Sequence, residues 1–182
     1  MAEEQQANAF DIRKIYLKDS SLESPNSPGV FLKDPSKPEV AIEASIRATS
    51  LEQENFYEVV LGMTVTSKIG DETAFLVEVH QAGIFQIVGL AQADLPLALE
   101  IACPNVLLPF AREAVSDLVA KAGFPQLLLS PINFEALYNA KLQQQAKAAD
   151  GSGAASADAA SETKHQLSSE SETNLASDDT SH

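Results

Sequence analysis

Little in this sequence is equipped for covalent or metal chemistry. Its 182 residues contain one cysteine, no tryptophan and only three histidines. A lone cysteine, Cys103, excludes an intramolecular disulfide and fits a reducing compartment. It precedes Pro104 with no histidine near it in sequence, which favours a small packed side chain over a nucleophile. Two of the histidines, His165 and His182, fall in a polar tail, and His80 alone remains for the body of the chain. No ligand spacing for a metal is present. No glycine-rich phosphate loop is present either: Gly83–Gly89 is apolar and lacks the lysine such a loop needs. The expectation is therefore a protein that is not an enzyme, holds no cofactor and neither binds nor hydrolyses ATP. The start, MAEEQQANAF, lacks the basic residues and apolar run of a signal peptide. No apolar stretch approaches the ~18 residues of a membrane helix, so a cytoplasmic protein without membrane insertion is expected. Positive charge is also scarce. Against 26 acidic residues stand 12 basic ones, a formal net charge of −14. Such a surface repels nucleic-acid phosphates and anionic membranes, and favours a basic partner.

What is present divides the chain into three. Residues 1–9 read as a flexible N-terminus, 10–146 as one domain, and 147–182 as a disordered, acidic, Ala- and Ser-rich tail. The tail has no aromatic residue and only Leu167 and Leu175 as large aliphatics, too little apolar surface to offset chain entropy. Its seven acidic and two basic residues account for −5 of the charge, leaving −9 on residues 1–146.

The first half of the domain has the period of strands. Val40, Ile42, Ala44 and Ile46 alternate with polar neighbours. From Tyr57 to Val65, Tyr57, Val59, Leu61, Met63 and Val65 share one face. A turn is read over Ser67–Asp71, then a strand from Thr73 to Ile87 with Phe75, Val77 and Val79 together and a bend or bulge at Gly83. An earlier strand, Phe10 to Glu23, alternates less well. The short later links favour an antiparallel sheet. The second half has the period of helices. One is read from a cap at Asn105, with Pro109 near its first turn, to Gly123; another starts after Asn133 and ends at Gln145. The fold class is α+β, a four-stranded antiparallel sheet with two main helices. Two helices cover one face of such a sheet. The other face must be polar or be buried by a second copy. The apolar surface around Ala114, Val115, Leu118 and Val119 is wider than one stripe, which favours oligomerisation. On the uncovered side parity places Leu76 and Glu78 together, and Asp19, Ser21 and Glu23 together.

Several segments closely resemble the SecB export chaperones. They are IYLKDSSLESPNSP (Ile15–Pro28), YEVVLGMTVT (Tyr57–Thr66), DETAFLVEVHQAGIF (Asp71–Phe85), CPNVLLPFAREAV (Cys103–Val115), GFPQLLLSPINFEALY (Gly123–Tyr138) and LQQQ (Leu142–Gln145). The match runs in order from about Phe10 to Gln145. It implies a SecB-like homotetramer, a dimer of dimers. It also implies an ATP-independent holdase that binds unfolded precursor proteins and delivers them to the motor SecA, whose basic C-terminal segment docks on the acidic sheet face. By this resemblance the SecA contacts fall on Asp19, Glu23, Leu76 and Glu78. The client groove falls on Val40, Ile42, Ala44, Leu137 and Leu142. The loop Lys33–Lys37 lacks the tryptophan of some members, and Ala44 is smaller than the expected leucine. A SecB-like chaperone dedicated to another client, such as an antitoxin, is the alternative.

Overall fold

Four long segments rich in β-branched and aromatic residues pair into one antiparallel sheet in the computed structural model, which describes residues 9–32, 38–151 and 165–168, with side chains as far as Ala146. The strands are β1 (Ala9–Glu23), β2 (Glu39–Ser50), β3 (Phe56–Ile69) and β4 (Glu72–Val88). The expected N-terminus 1–9, apart from Ala9, and the loop Lys33–Lys37 lie outside the described residues. β2, β3 and β4 follow one another as a meander, and β1 pairs with β4. The turn read over Ser67–Asp71 is shorter than expected: Ile69 still pairs with Glu72, leaving Gly70-Asp71 as a two-residue hairpin. Gly70 sits at φ +61°, a conformation favoured by glycine.

The weak alternation of β1 has a structural cause. Its register against β4 shifts between Ile12 and Lys14 and again between Leu17 and Asp19. Each bulge inserts an unpaired residue, and each reverses the side to which later residues point. Phe10, Ile12, Ile15 and Leu17 thereby share the helix side, while Asp19, Ser21 and Glu23 turn to the other. The described part of the link from β1 to β2 forms a 3-10 turn at Gly29–Leu32. It is tied down by Ser24 Oγ donating to the Ala74 carbonyl and Asn26 Nδ2 to that of Thr73, both at 2.9 Å.

The helical half starts earlier than its sequence signals indicate. A short helix α1 (Leu95–Leu97) runs through a π turn (Ala98–Ala102) into α2 (Cys103–Lys121). Asn105 is therefore no cap; it lies inside α2, and its Nδ2 donates to the Ile101 carbonyl at 2.9 Å. Pro104, at the first turn of α2, occupies the place assigned to Pro109, which sits inside the helix on its exposed side. The π turn closes through the Cys103 N–H to the Ala98 carbonyl just before that proline. Leu95–Lys121 forms one stretch of 27 residues in which an 18-residue window reaches a mean hydropathy of 1.2, long and apolar enough by length and composition to cross a membrane. That corrects the reading that no such stretch exists. A stripe of it, Cys103, Leu107, Ala111, Val115 and Val119, is fully buried. It packs on β4 and β3 against Val59, Leu61, Val77, Val79 and Phe85. Each fully buried large side chain contributes about 1.5–3 kcal/mol of transfer free energy. α2 stops in a glycine motif: Gly123, at φ +88°, donates to the Ala120 carbonyl and Phe124 to that of Val119.

Gly83 is not a bulge, because β4 stays in register with β3 through it. A Cβ there would lie 3.0 Å from Leu107 Cδ2 and 2.7 Å from the Phe85 ring, so the absent side chain lets α2 approach the sheet closely. The last helix, α3 (Phe134–Gly151), begins as its sequence indicates: Asn133 Oδ1 accepts from the Ala136 N–H at 3.0 Å. Phe134 is buried beneath it.

The four-stranded sheet carries a short fifth strand on its β2 edge. β5 (His165–Ser168) pairs antiparallel with β2, from Ala41 opposite Ser168 to Ala44 opposite His165. It comes from the segment 147–182 expected to be disordered, as does the end of α3 at 147–151; the rest of that segment lies outside the described residues. Composition reports how much core a segment can bury. It does not report that a sheet edge elsewhere offers backbone partners.

Candidate functional site

The sheet face away from the helices is organised in rows by strand register. Asp19, His80, Gly62 and Ser45 lie opposite one another across β1, β4, β3 and β2. Ser21, Glu78, Thr64 and Glu43 form the next row, and Glu23, Leu76, Thr66 and Ala41 the third. The four docking residues read from sequence are therefore neighbours: Glu23 faces Leu76 directly, and Asp19 and Glu78 lie diagonally across β1 and β4. Asp19 and Glu23 are exposed, Leu76 and Glu78 half-buried. His80, which parity already sets on the face of Leu76 and Glu78, belongs to the same patch, and so does Glu43, which was missed. Parity assigns a residue to a face, but lateral register, set by turns and bulges, decides its neighbours.

His80 sits between two carboxylates, with Nδ1 3.8 Å from Asp19 Oδ2 and Nε2 3.5 Å from Glu78 Oε1. Gly62 makes room for this: a Cβ there would collide with the Ser45 hydroxyl and stand 3.1 Å from the His80 ring. Glu43, Ser45, Gly62, Thr64, Glu78 and His80 line a shallow depression of about 140 Å³. This is an acidic, solvated patch with one apolar side chain, Leu76, at its margin. Its chemistry suits a basic peptide, each exposed ion pair contributing about 0.2–1 kcal/mol.

The acidic patch ends at a neutralised carboxylate. Tyr16 donates a short hydrogen bond to Glu58 Oε1, and Lys18 Nζ lies 2.7 Å from Oε2. Partial burial works against the charged form of Glu58, but the hydrogen bonds from Lys18 and Tyr16 and the lysine charge outweigh it and hold the carboxyl below its usual range. The same hydrogen bond, with burial, pushes Tyr16 up to about 12.

The proposed client residues are less alike in their surroundings. Val40, Ile42 and Ala44 share the helix side of β2, as alternation indicates. Ile42 and Ala44 are only 8% and 4% exposed, so neither meets a client without rearrangement. Val40 and Leu137 are half-buried, and Leu142 is 44% exposed. The π turn Ala98–Ala102, which sequence reading missed, packs against both β2 and α3 and so lies between the two stripes. Lys141 Nζ to Glu100 Oε1, at 2.5 Å, ties α3 to that turn.

A third surface is apolar. Phe10, Ile12 and Leu17 of β1 and Phe110 of α2 are exposed, Leu17 and Phe110 beside one cavity. This cavity of about 600 Å³ is lined by Ile15, Leu17, Gln81, Phe110, Ala114 and Ser116 among others. The buried Ser116 hydroxyl has no hydrogen-bond partner among the described residues. Cys103 is fully buried, and burial pushes its thiol up to about 12, which makes it a packing residue. Among the described residues no group of three His, Cys, Asp or Glu side chains is placed to hold a metal ion.

The family model for SecB, preprotein translocase subunit SecB, matches residues 3–145. The chain belongs to the SecB family. It is 53% identical over 153 residues to the protein-export protein SecB of Methylobacillus flagellatus, covering 81% of this chain and 96% of that one. It is likewise 53% identical over 149 residues to that of Nitrosococcus oceani, covering 81% and 90%. Among solved structures it resembles the Mycobacterium tuberculosis SecB-like chaperone in complex with a peptide from the HigA1 antitoxin. There the TM-score is 0.57 at 16% identity, covering 68% of this chain and 91% of that one, a likeness of fold. SecB proteins are a family of chaperones, not of enzymes.

Proposed function

We propose that this SecB protein is an ATP-independent holdase for protein export. It binds unfolded precursor proteins in the cytoplasm, keeps them competent for translocation and delivers them to SecA. The observation that carries the reading is the division of one small domain into two unlike surfaces. One is an acidic sheet face without helices, at Asp19, Glu23, Glu78 and Glu43. The other is a set of apolar surfaces on the helix side and along β1. A solvated acidic face suits a basic, exchangeable partner such as the SecA segment. Scattered apolar contacts, at about 25 cal/mol per Å² buried, suit clients that share no sequence motif.

The apolar margin of β1 and α2 supports assembly into a homotetramer, a dimer of dimers. β1 has a neighbour on one side only among the described residues, and exposed Phe10, Ile12, Leu17 and Phe110 flank that edge. A free apolar edge of this length is an aggregation hazard unless a second copy covers it. Val40, Leu137 and Leu142 contribute to client binding, and Ile42 and Ala44 form the floor beneath them. The relatives named for protein export favour this over a chaperone dedicated to an antitoxin.

The test is refolding of a slow-folding precursor from denaturant, with and without the purified protein and without nucleotide. Refolding is arrested at about one tetramer per precursor, and adding SecA releases the chain. Unchanged refolding at excess tetramer would refute the holdase reading.

A further inference from the structure

The edge of β2 is occupied by a strand that the domain does not need for its core. β5 covers Ala41–Ala44, four of the 12 residues of β2, and the strand pairing on that side ends at Ala44 among the described residues. We propose that the outer edge of β2 is a strand-addition site for extended polypeptide and that this chain's own residues His165–Ser168 are its resident occupant. An extended client displaces them to bind. The second half of this proposal rests on the holdase reading; the first does not.

Three observations converge on it. First, β2 is one of the two outer strands among the four long ones, so half of its N–H and C=O groups point away from β3. Such an edge is a template that any extended backbone fits, whatever its side chains. That indifference to sequence is what a binder of unfolded chains needs. Second, the tail is acidic, and it faces a domain that is itself acidic. Its one stretch with both a base and a large aliphatic residue free of acids, Thr163–Ser169 with Lys164 and Leu167, is the stretch that contains β5. The least repelled part of the tail is the part that pairs. Third, the connection is permissive. Residues 152–164 separate the end of α3 from β5, a reach of up to about 45 Å at 3.3–3.6 Å per residue.

A four-residue strand on a long tether is a weak but persistent ligand. Its effective concentration is on the order of millimolar, so an intrinsic affinity of only about millimolar keeps it on the edge much of the time. A client long enough to lie along all of β2 first pairs beyond Ala44, then replaces β5 pair by pair. In the absence of clients the resident strand shields part of the edge from edge-to-edge association.

The experiment uses the full chain and two double variants. Gln166→Pro with Leu167→Pro removes consecutive N–H groups, so at least one donor toward β2 is lost whichever set faces it. Asn174→Pro with Leu175→Pro places the same change downstream of β5 as a control. Amide hydrogen exchange is measured without client. The expected result is faster exchange, in the first variant only, at those Ala41–Ala44 amides that do not point at β3. Binding of a fluorescent extended peptide that spans the length of β2 is then measured. If β5 occupies the edge between half and nine-tenths of the time, the first variant binds about two- to tenfold more tightly than the native chain. Exchange unaffected by the prolines at 166 and 167 would overturn the resident strand. Altered exchange with equal peptide affinity would overturn the competition. Altered exchange with no peptide binding by any of the three chains would also overturn it, but by removing the client, and so marks failure of the holdase reading itself.

Discussion

Charge reversal at Glu78 tests the proposed docking face separately from the rest of the molecule. Glu78 is half-exposed on the open face, its Oε1 3.5 Å from His80 Nε2, between Val77 and Val79, which are buried on the opposite side of β4. Its neighbours across β1 are Asp19, Ser21 and Glu23. Two unit charges 4 Å apart interact by about 1 kcal/mol in water, and exposed pairs deliver about 0.2–1 kcal/mol. Glu78→Lys turns one such attraction into a repulsion and also offsets part of the field of Asp19 and Glu23. The expected loss toward the basic segment of SecA is about 1–2 kcal/mol, or about five- to thirtyfold in Kd. The assay is titration calorimetry with SecA at low and at physiological salt. The difference between native and variant shrinks as salt rises, because exposed charges are screened over about 8 Å at 0.15 M. Glu54→Lys, exposed in the loop between β2 and β3, changes net charge equally at a distance from the face. The urea midpoint of both variants stays within about 0.5 kcal/mol of native, as for surface changes generally. Equal weakening by both substitutions would reduce the effect to net charge and refute a local docking face. No weakening by Glu78→Lys would refute it outright.

Two further outcomes follow from the fold. Gly83→Ala forces a methyl group to within 3.0 Å of Leu107 Cδ2 and closer still to the Phe85 ring. Overpacking of about 1–3 kcal/mol outweighs the entropic gain of about 0.5–1 kcal/mol from replacing glycine. At fixed protomer concentration the urea midpoint falls, and Leu107→Val in the same chain restores part of it; a raised midpoint would show that α2 does not press on the sheet at this point. The Tyr16–Glu58–Lys18 cluster sets a pH dependence at both extremes. Because the folded state holds the Glu58 carboxyl below its ordinary value of 4.5, that stabilisation is present above pH 4.5 and is lost as pH falls through the lowered value. Tyr16 is raised from 10.0 to about 12, so its contribution is present below pH 10 and is lost as pH rises toward 12. Glu58→Gln flattens both limbs of a stability–pH profile measured by urea unfolding, and an unaltered profile would count against the cluster.

The open face was legible from parity because both strands that carry it are extended where it matters. Leu76 and Glu78 alternate with Val77 and Val79, and Asp19, Ser21 and Glu23 all lie beyond the second bulge of β1. Upstream of that bulge parity failed, since two inserted residues reverse the faces and leave no mark in composition. The start of the helical half was also hidden. A π turn carries the chain from Leu97 to Cys103, and Asn105 and Pro109, good cap and first-turn residues by type, lie inside the continuing helix.

The sequence alone determined the α+β class, the pairing of β2, β3 and β4, the polar character of the uncovered face and the membership that Ile15–Gln145 betrays. These depend on local period, turn residues and charge, which are written along the chain. Three things were decided only in the tertiary structure. Ile42 and Ala44 became floor rather than groove wall, because Val65 and Met63 stand opposite them and the π turn packs on β2. Glu43 joined the acidic patch, and Asp19 came to stand opposite His80, through lateral register. The tail acquired a strand, because a free edge on β2 supplies backbone partners to a segment with no core of its own. Each depends on what lies across the sheet, and strand neighbours far apart in sequence are set by turns, bulges and unfilled edges rather than by the residues on either side.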